Sequence, residues 1–163
     1  MSNEVYGLIE SHQVINWNDI LTSIQDKTGI GIKLISKTEL YNFPEELIST
    51  SDCSNIAFIV GDKPGKTNTT YLTDYQDYAP ETDFGLPYKA KARLGLLVDM
   101  FYETIKQTKA RRFVVAITDS SQIDEVKVVA LSELSSLIFS DFEKYDMPDC
   151  IYDVVITNNN ELI

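Results

Sequence analysis

The chain has 163 residues, 44% hydrophobic and 24% charged, with a net charge of −11. That length suits one domain, and that composition excludes a disordered or fibrous chain. The acidic balance argues against nucleic acid as the main partner, because phosphate binding needs a basic footprint. No apolar run is long enough to span a membrane. The opening "MSNEVYGLIESH" lacks the basic and apolar blocks of a signal peptide, so a cytoplasmic location is expected. Cys53 and Cys150, with no CxxC, are expected to be two reduced thiols.

No element is predicted for the first residues, and the first predicted element is a helix. Asn16 or Asn18 caps it, Trp17, Ile20, Leu21 and Ile24 share a face, and Gly29 stops it. "IGIKLIS" sets Ile30, Ile32 and Leu34 on one side of a strand. "FPEELIST" reads as a short helix after Pro44. "NIAFIVG" is continuously apolar, as a central strand is, and "TTYLT" is β-prone. The clearest helix runs from about 88 to 109, with Leu94, Leu97, Val98, Phe101 and Ile105 at three- and four-residue spacing. Glu81 and Asp83 precede it and its end is basic, which suits the helix dipole.

"RRFVVAIT" and "EVKVVAL" flank "DSSQID" and predict a hairpin. Ser132 is placed as the cap of a helix carrying Leu134, Leu137, Ile138, Phe142 and Tyr145. "CIYDVVIT" closes as a strand. The pattern predicts a single α+β domain over 1–157, a mixed sheet with helices mostly on one face, and a tail at 158–163.

Charge is unevenly distributed. Residues 87–112 hold seven basic residues against Asp99 and Glu103, a net of +5, which leaves −16 on the rest. Such a field repels acidic partners and speeds encounter with basic ones.

"VGDKPGKTN" follows a strand and ends Gly65-Lys66-Thr67, but Val60 stands where a phosphate-binding loop needs its first glycine. Pro64 removes an amide, and β-branched residues follow where a helix is required, so a polar turn is the better assignment. His12 is the only histidine and lies in a polar N-terminal stretch without a catalytic or zinc-binding context. An enzymatic alternative is Asp119 with Glu125-x-Lys127 on the predicted hairpin. Nucleases resembling restriction enzymes use two carboxylates for Mg²⁺ and a lysine near the attacking water. No other catalytic group, metal site or cofactor site is assigned.

Two segments interleave acids with rings. "TDYQDYAPETDFG" has Asp74, Asp77, Glu81 and Asp83 around Tyr75 and Tyr78. "SDFEKYDMPDCIYD" has Asp141, Glu143 and Asp146 around Tyr145. The first has no regular calcium-ligand spacing. A solvated approach to a helix is one alternative, and a recognition loop is the other. Tyrosine offers rigid contact area, and acids meet Lys and Arg on a partner.

In size, charge and texture the chain resembles the immunity proteins of bacterial polymorphic toxins, including those of contact-dependent growth inhibition. The resemblance implies a cognate toxin domain, often a basic nuclease, covered by the acidic surface, with no catalysis by the inhibitor itself. The expected binding residues are Asp74, Tyr75, Asp77, Tyr78, Glu81, Asp83, Asp141, Glu143, Tyr145 and Asp146. A plain adaptor or structural protein is a further alternative.

Overall fold

The computed structural model describes residues 3–13, 15–48 and 54–157. Its strands are β1 (Asn3–Ser11), β2 (Gly31–Ile35), β3 (Ser54–Gly61), β4 (Ala110–Asp119), β5 (Glu125–Ala130) and β6 (Cys150–Val155). Its α-helices are α1 (Trp17–Thr28), α2 (Ala90–Thr108) and α3 (Leu134–Tyr145). They build one α+β domain on a six-stranded mixed sheet, in the order β2-β3-β1-β4-β6-β5.

The N-terminal segment is a correction. Residues 3–11 form β1, paired antiparallel to β3 on one side and β4 on the other. Val5 and Ile9 point to the helix-covered face, while Tyr6 and Leu8 point to the opposite one. A strand buried on both faces has a continuous apolar run rather than an alternating one. Gly7 is required there, because a Cβ would lie 2.0 Å from the Val114 carbonyl oxygen on β4.

All three helices cover the face formed by Val5, Ile9, Phe58, Phe113, Val115, Tyr152 and Val154. Phe113 lies at the centre, 5.5 Å from the Phe101 ring and 5.6 Å from Phe58. Burying one such ring contributes about 2–3 kcal/mol. The other face is covered by the segment after β2, through Leu40 and Phe43 against Tyr6, Leu8, Val114, Ala116 and Ile151. Pro44 is followed there by a single 3-10 turn, Glu45–Leu47, rather than an α-helix.

Helix boundaries follow local chemistry closely. Asn16 accepts the Asp19 amide, and Gly29 closes α1 at φ 73°. α2 is buried through Leu94, Leu97, Val98, Phe101 and Ile105, as its spacing predicts. Ser132 does not cap α3; it lies within the 3-10 turn Leu131–Glu133 that leads into the helix.

The predicted hairpin does not form. β6 lies between β4 and β5, antiparallel to β4 and parallel to β5. α3 is the crossover that parallel neighbours need. Burial explains the arrangement: Cys150, Ile151 and Tyr152 are fully covered and β6 is interior, whereas β5 is mostly exposed and takes the edge.

"TTYLT" is not a strand either. The buried Asp62 carboxylate accepts the amides of Tyr71 and Leu72, and the Thr73 amide returns to the Thr69 carbonyl. Two charge-assisted bonds to successive amides fold the segment into a turn despite its β-branched residues. The predicted tail and Cys53 lie outside the described residues. Among the described residues no helix is long and apolar enough to cross a membrane.

Candidate functional site

The loop between β3 and α2 is built around Arg93, a fully buried side chain on the first turns of α2. Its Nε donates to the Tyr71 carbonyl at 2.9 Å. Nη1 donates to the carbonyls of Tyr78, Pro87 and Tyr88 at 3.2, 2.8 and 2.7 Å. Nη2 reaches those of Asp74 and Gln76 at 3.2 and 2.5 Å. A planar guanidinium presents fixed, divergent donors, so one residue fixes the course of the whole loop. Burial pushes the Asp62 carboxyl upward, partly offset by the Leu72 and Tyr71 amides and by the nearby Arg93 charge.

The loop's own acids divide between building and display. Asp77 Oδ1 accepts the Ala90 amide at 2.8 Å, and Oδ2 meets Lys89 Nζ at 3.3 Å. The amide, with Lys89 behind it, holds the Asp77 carboxyl below its usual range. Asp77 therefore serves the N-terminus of α2, the role expected of Glu81 and Asp83. Those two are exposed instead, flanking the 3-10 turn Thr82–Phe84.

The rings mostly face inward. Tyr71 packs edge-on to Phe84 at 4.9 Å and tilts against Tyr78 at 6.1 Å. The Arg93 guanidinium lies 4.9 Å from the centre of the Tyr78 ring. Burial, then the Asp74 carboxylate, pushes the Tyr78 phenol up to about 12. Tyr78 is thus half-buried, and the freely presented ring of this region is Tyr88, 57% exposed. Tyr88 belongs to no acid-rich run in the sequence, and only tertiary position identifies it.

The two acid-aromatic segments meet. The Tyr75 hydroxyl donates to Glu143 Oε1 at 2.6 Å, and the Tyr75 ring lies 5.5 Å from Phe142. Lys91 adds an ion pair to the same Glu143 oxygen at 2.9 Å. The Tyr75 hydroxyl and then Lys91 hold the Glu143 carboxyl low, while burial and Glu143 push the Tyr75 phenol up. Beside this contact Asp74, Asp119 and Asp146 line a cleft of about 160 Å³ with Tyr75, Gln76 and Met147. Glu143, Tyr145 and Asp146 are exposed on α3 and its end. Asp141 is not: at 5% exposure it accepts two bonds from Lys127 at 2.9 Å and one from the Tyr152 hydroxyl at 2.7 Å. It belongs to the interior, on the face of α3 opposite Glu143.

The alternative constellation is dispersed. Asp119 ends β4, where its amide donates to Asp149, whereas Glu125 begins β5 beyond the intervening β6. Lys127 turns inward to Asp141, with Glu125 at 3.6 Å. Burial alone would lower the Lys127 ammonium, but Asp141 outweighs it and raises the lysine above its ordinary value. Among the described residues no group of three or more His, Cys, Asp or Glu could hold a metal ion. "VGDKPGKTN" is a turn in which the Lys66 amide bonds the Lys63 carbonyl, and no helix follows directly. His12 is exposed after β1. Cys150 is free and buried, its thiol pushed up to about 11 by that burial.

No protein-family model, curated protein or solved structure matches this chain.

Proposed function

We propose that the chain is a non-catalytic inhibitor, an immunity-type protein that neutralises a basic toxin domain through its acid-aromatic surface. The carrying observation is the Tyr75–Glu143 hydrogen bond, which joins two acid-rich segments 68 residues apart into one patch. Asp77, Glu143, Tyr145 and Asp146 are exposed on these segments, Glu81 and Asp83 are exposed further along the same loop, and Tyr88 adds an exposed ring. Nuclease domains are basic because they hold phosphates, so an acidic cover both attracts them and competes with their substrate.

Preorganisation supports the same reading. Arg93 fixes the loop backbone from within, so a partner would meet a surface that needs little ordering. Lys89 and Lys91 lie within the patch, where they pair with Asp77 and Glu143 and offset part of its negative charge.

The test is a search of the neighbouring genes for a basic toxic domain, followed by co-expression of that domain with this chain. Protection of growth is expected from the parent chain. The Glu81→Lys/Asp83→Lys variant should slow association with that purified domain by about tenfold at low salt and flatten its salt dependence. Unprotected cells and absent binding would sink the proposal.

A further inference from the structure

A groove of about 620 Å³ opens over the first turn of α2, where the β3–α2 loop meets α3. Tyr75 and Asp77 line it from the loop, Glu143 from α3, and the small side chains of Ala90 and Ala92 from α2. Its two carboxylates are held, whereas its two cations are loose. Asp77 Oδ1 accepts the Ala90 amide at 2.8 Å, and Glu143 Oε1 accepts the Tyr75 hydroxyl at 2.6 Å. Lys89 and Lys91 reach the same two acids with side chains 72% and 71% exposed. Among the described residues Lys91 has no partner besides Glu143, and no hydrogen bond is donated to Glu143 Oε2. An ion pair so exposed is worth little and gives way to a better cation. The carboxylate, fixed by the tyrosine hydroxyl, keeps its place when the lysine leaves.

We infer that this groove is a guanidinium site, in which an arginine of the basic partner replaces Lys91 on Glu143. A guanidinium offers a carboxylate two parallel donors, whereas an ammonium is a point charge. Its flat face also suits the Tyr75 ring, which lines the groove. The net charge of −11 favours a cationic occupant over an anionic one, even with two lysines present. The inference rests on the proposed function for its partner and names what that partner inserts. Lys91 is then an internal competitor rather than a contact, so its removal should strengthen binding. A lysine that touched the partner directly would give the opposite sign.

The probe is Nα-acetylarginine amide, titrated into the isotope-labelled full chain and followed by NMR. Amide signals of residues 89–92 and 143 should move saturably, with a dissociation constant on the order of 1–10 mM. Acetylcitrulline amide, of the same shape without the charge, should leave them unmoved. Lys91→Ala should tighten arginine binding by about threefold. Glu143→Gln, which keeps an acceptor for the Tyr75 hydroxyl, should weaken it by at least about fivefold. Lys106→Ala, the same charge change at the far end of α2, should do neither. Absence of saturable shifts overturns the inference. So does a Lys91→Ala variant that binds no tighter than Lys106→Ala, or a Glu143→Gln variant that binds like the parent. A groove blind to arginine in a chain that still protects against a toxic domain sinks this inference alone. Arginine binding in a chain that protects against none sinks the proposed function alone.

Discussion

Asp77 caps α2 from outside the helix, accepting the Ala90 amide at 2.8 Å across thirteen residues of chain. An exposed acid in an acid-rich loop is therefore a structural part, and it tethers the loop to the helix it precedes. The Asp77→Ala variant should lower the melting temperature by about 2–4 °C, since it removes the side-chain acceptor that caps that end among the described residues. Thermal melts monitored by circular dichroism check this. An unchanged midpoint would return Asp77 to the list of purely displayed acids.

Arg93 gives the larger effect. Six backbone carbonyls depend on its guanidinium. Arg93→Met should destabilise the fold by about 3 kcal/mol or more, because it strands buried acceptors. Arg93→Lys should recover little of that, as an ammonium cannot reproduce the fork. Urea midpoints for the two variants are the measurement. If lysine restores the parent midpoint, charge rather than geometry holds the loop.

Lys127 separates a structural from a catalytic role. Removing it by Lys127→Ala leaves Asp141 buried against Tyr152 without its cation. A loss of about 3 kcal/mol or more is expected from an unpaired buried charge. The Lys127→Ala/Asp141→Asn pair should recover much of the loss, a coupling readable in a double-mutant cycle. Independent losses that simply add would show that the ion pair is not what holds these side chains.

Acid should loosen the loop. Asp77 and Glu143 have carboxyls held below their usual range, by the Ala90 amide and the Tyr75 hydroxyl respectively. A lowered folded-state pKa gives stability that is present above the unfolded value near 4 and lost as pH falls through the folded one. Asp62, pushed up by burial, acts in the opposite direction, because its folded form takes a proton more readily. In Asp77→Asn the first contribution is absent, so its melting-temperature deficit should be widest at neutral pH and shrink below about pH 4. A deficit constant from pH 7 to pH 3 would rule this out.

Local chemistry wrote much of this fold into the sequence. Asn16 and Gly29 bound α1, and Leu94, Leu97, Val98, Phe101 and Ile105 mark α2, because caps and periodicity depend on neighbours a few residues apart. The acid-aromatic character of residues 73–85 and 141–146 is likewise a local property. Pairing is not. Nothing within "CIYDVV" says that it inserts between β4 and β5; that depends on α3 carrying the chain across and on which strand can tolerate burial on both faces. β1 escaped for a related reason, since "EVYGLIES" is apolar on both faces and shows no alternation until β3 and β4 flank it. Tertiary structure also decided which charges are displayed. Asp141 and Glu143 are two residues apart on one helix, yet rotation of about 200° sends one to Lys127 inside and the other to Tyr75 at the surface.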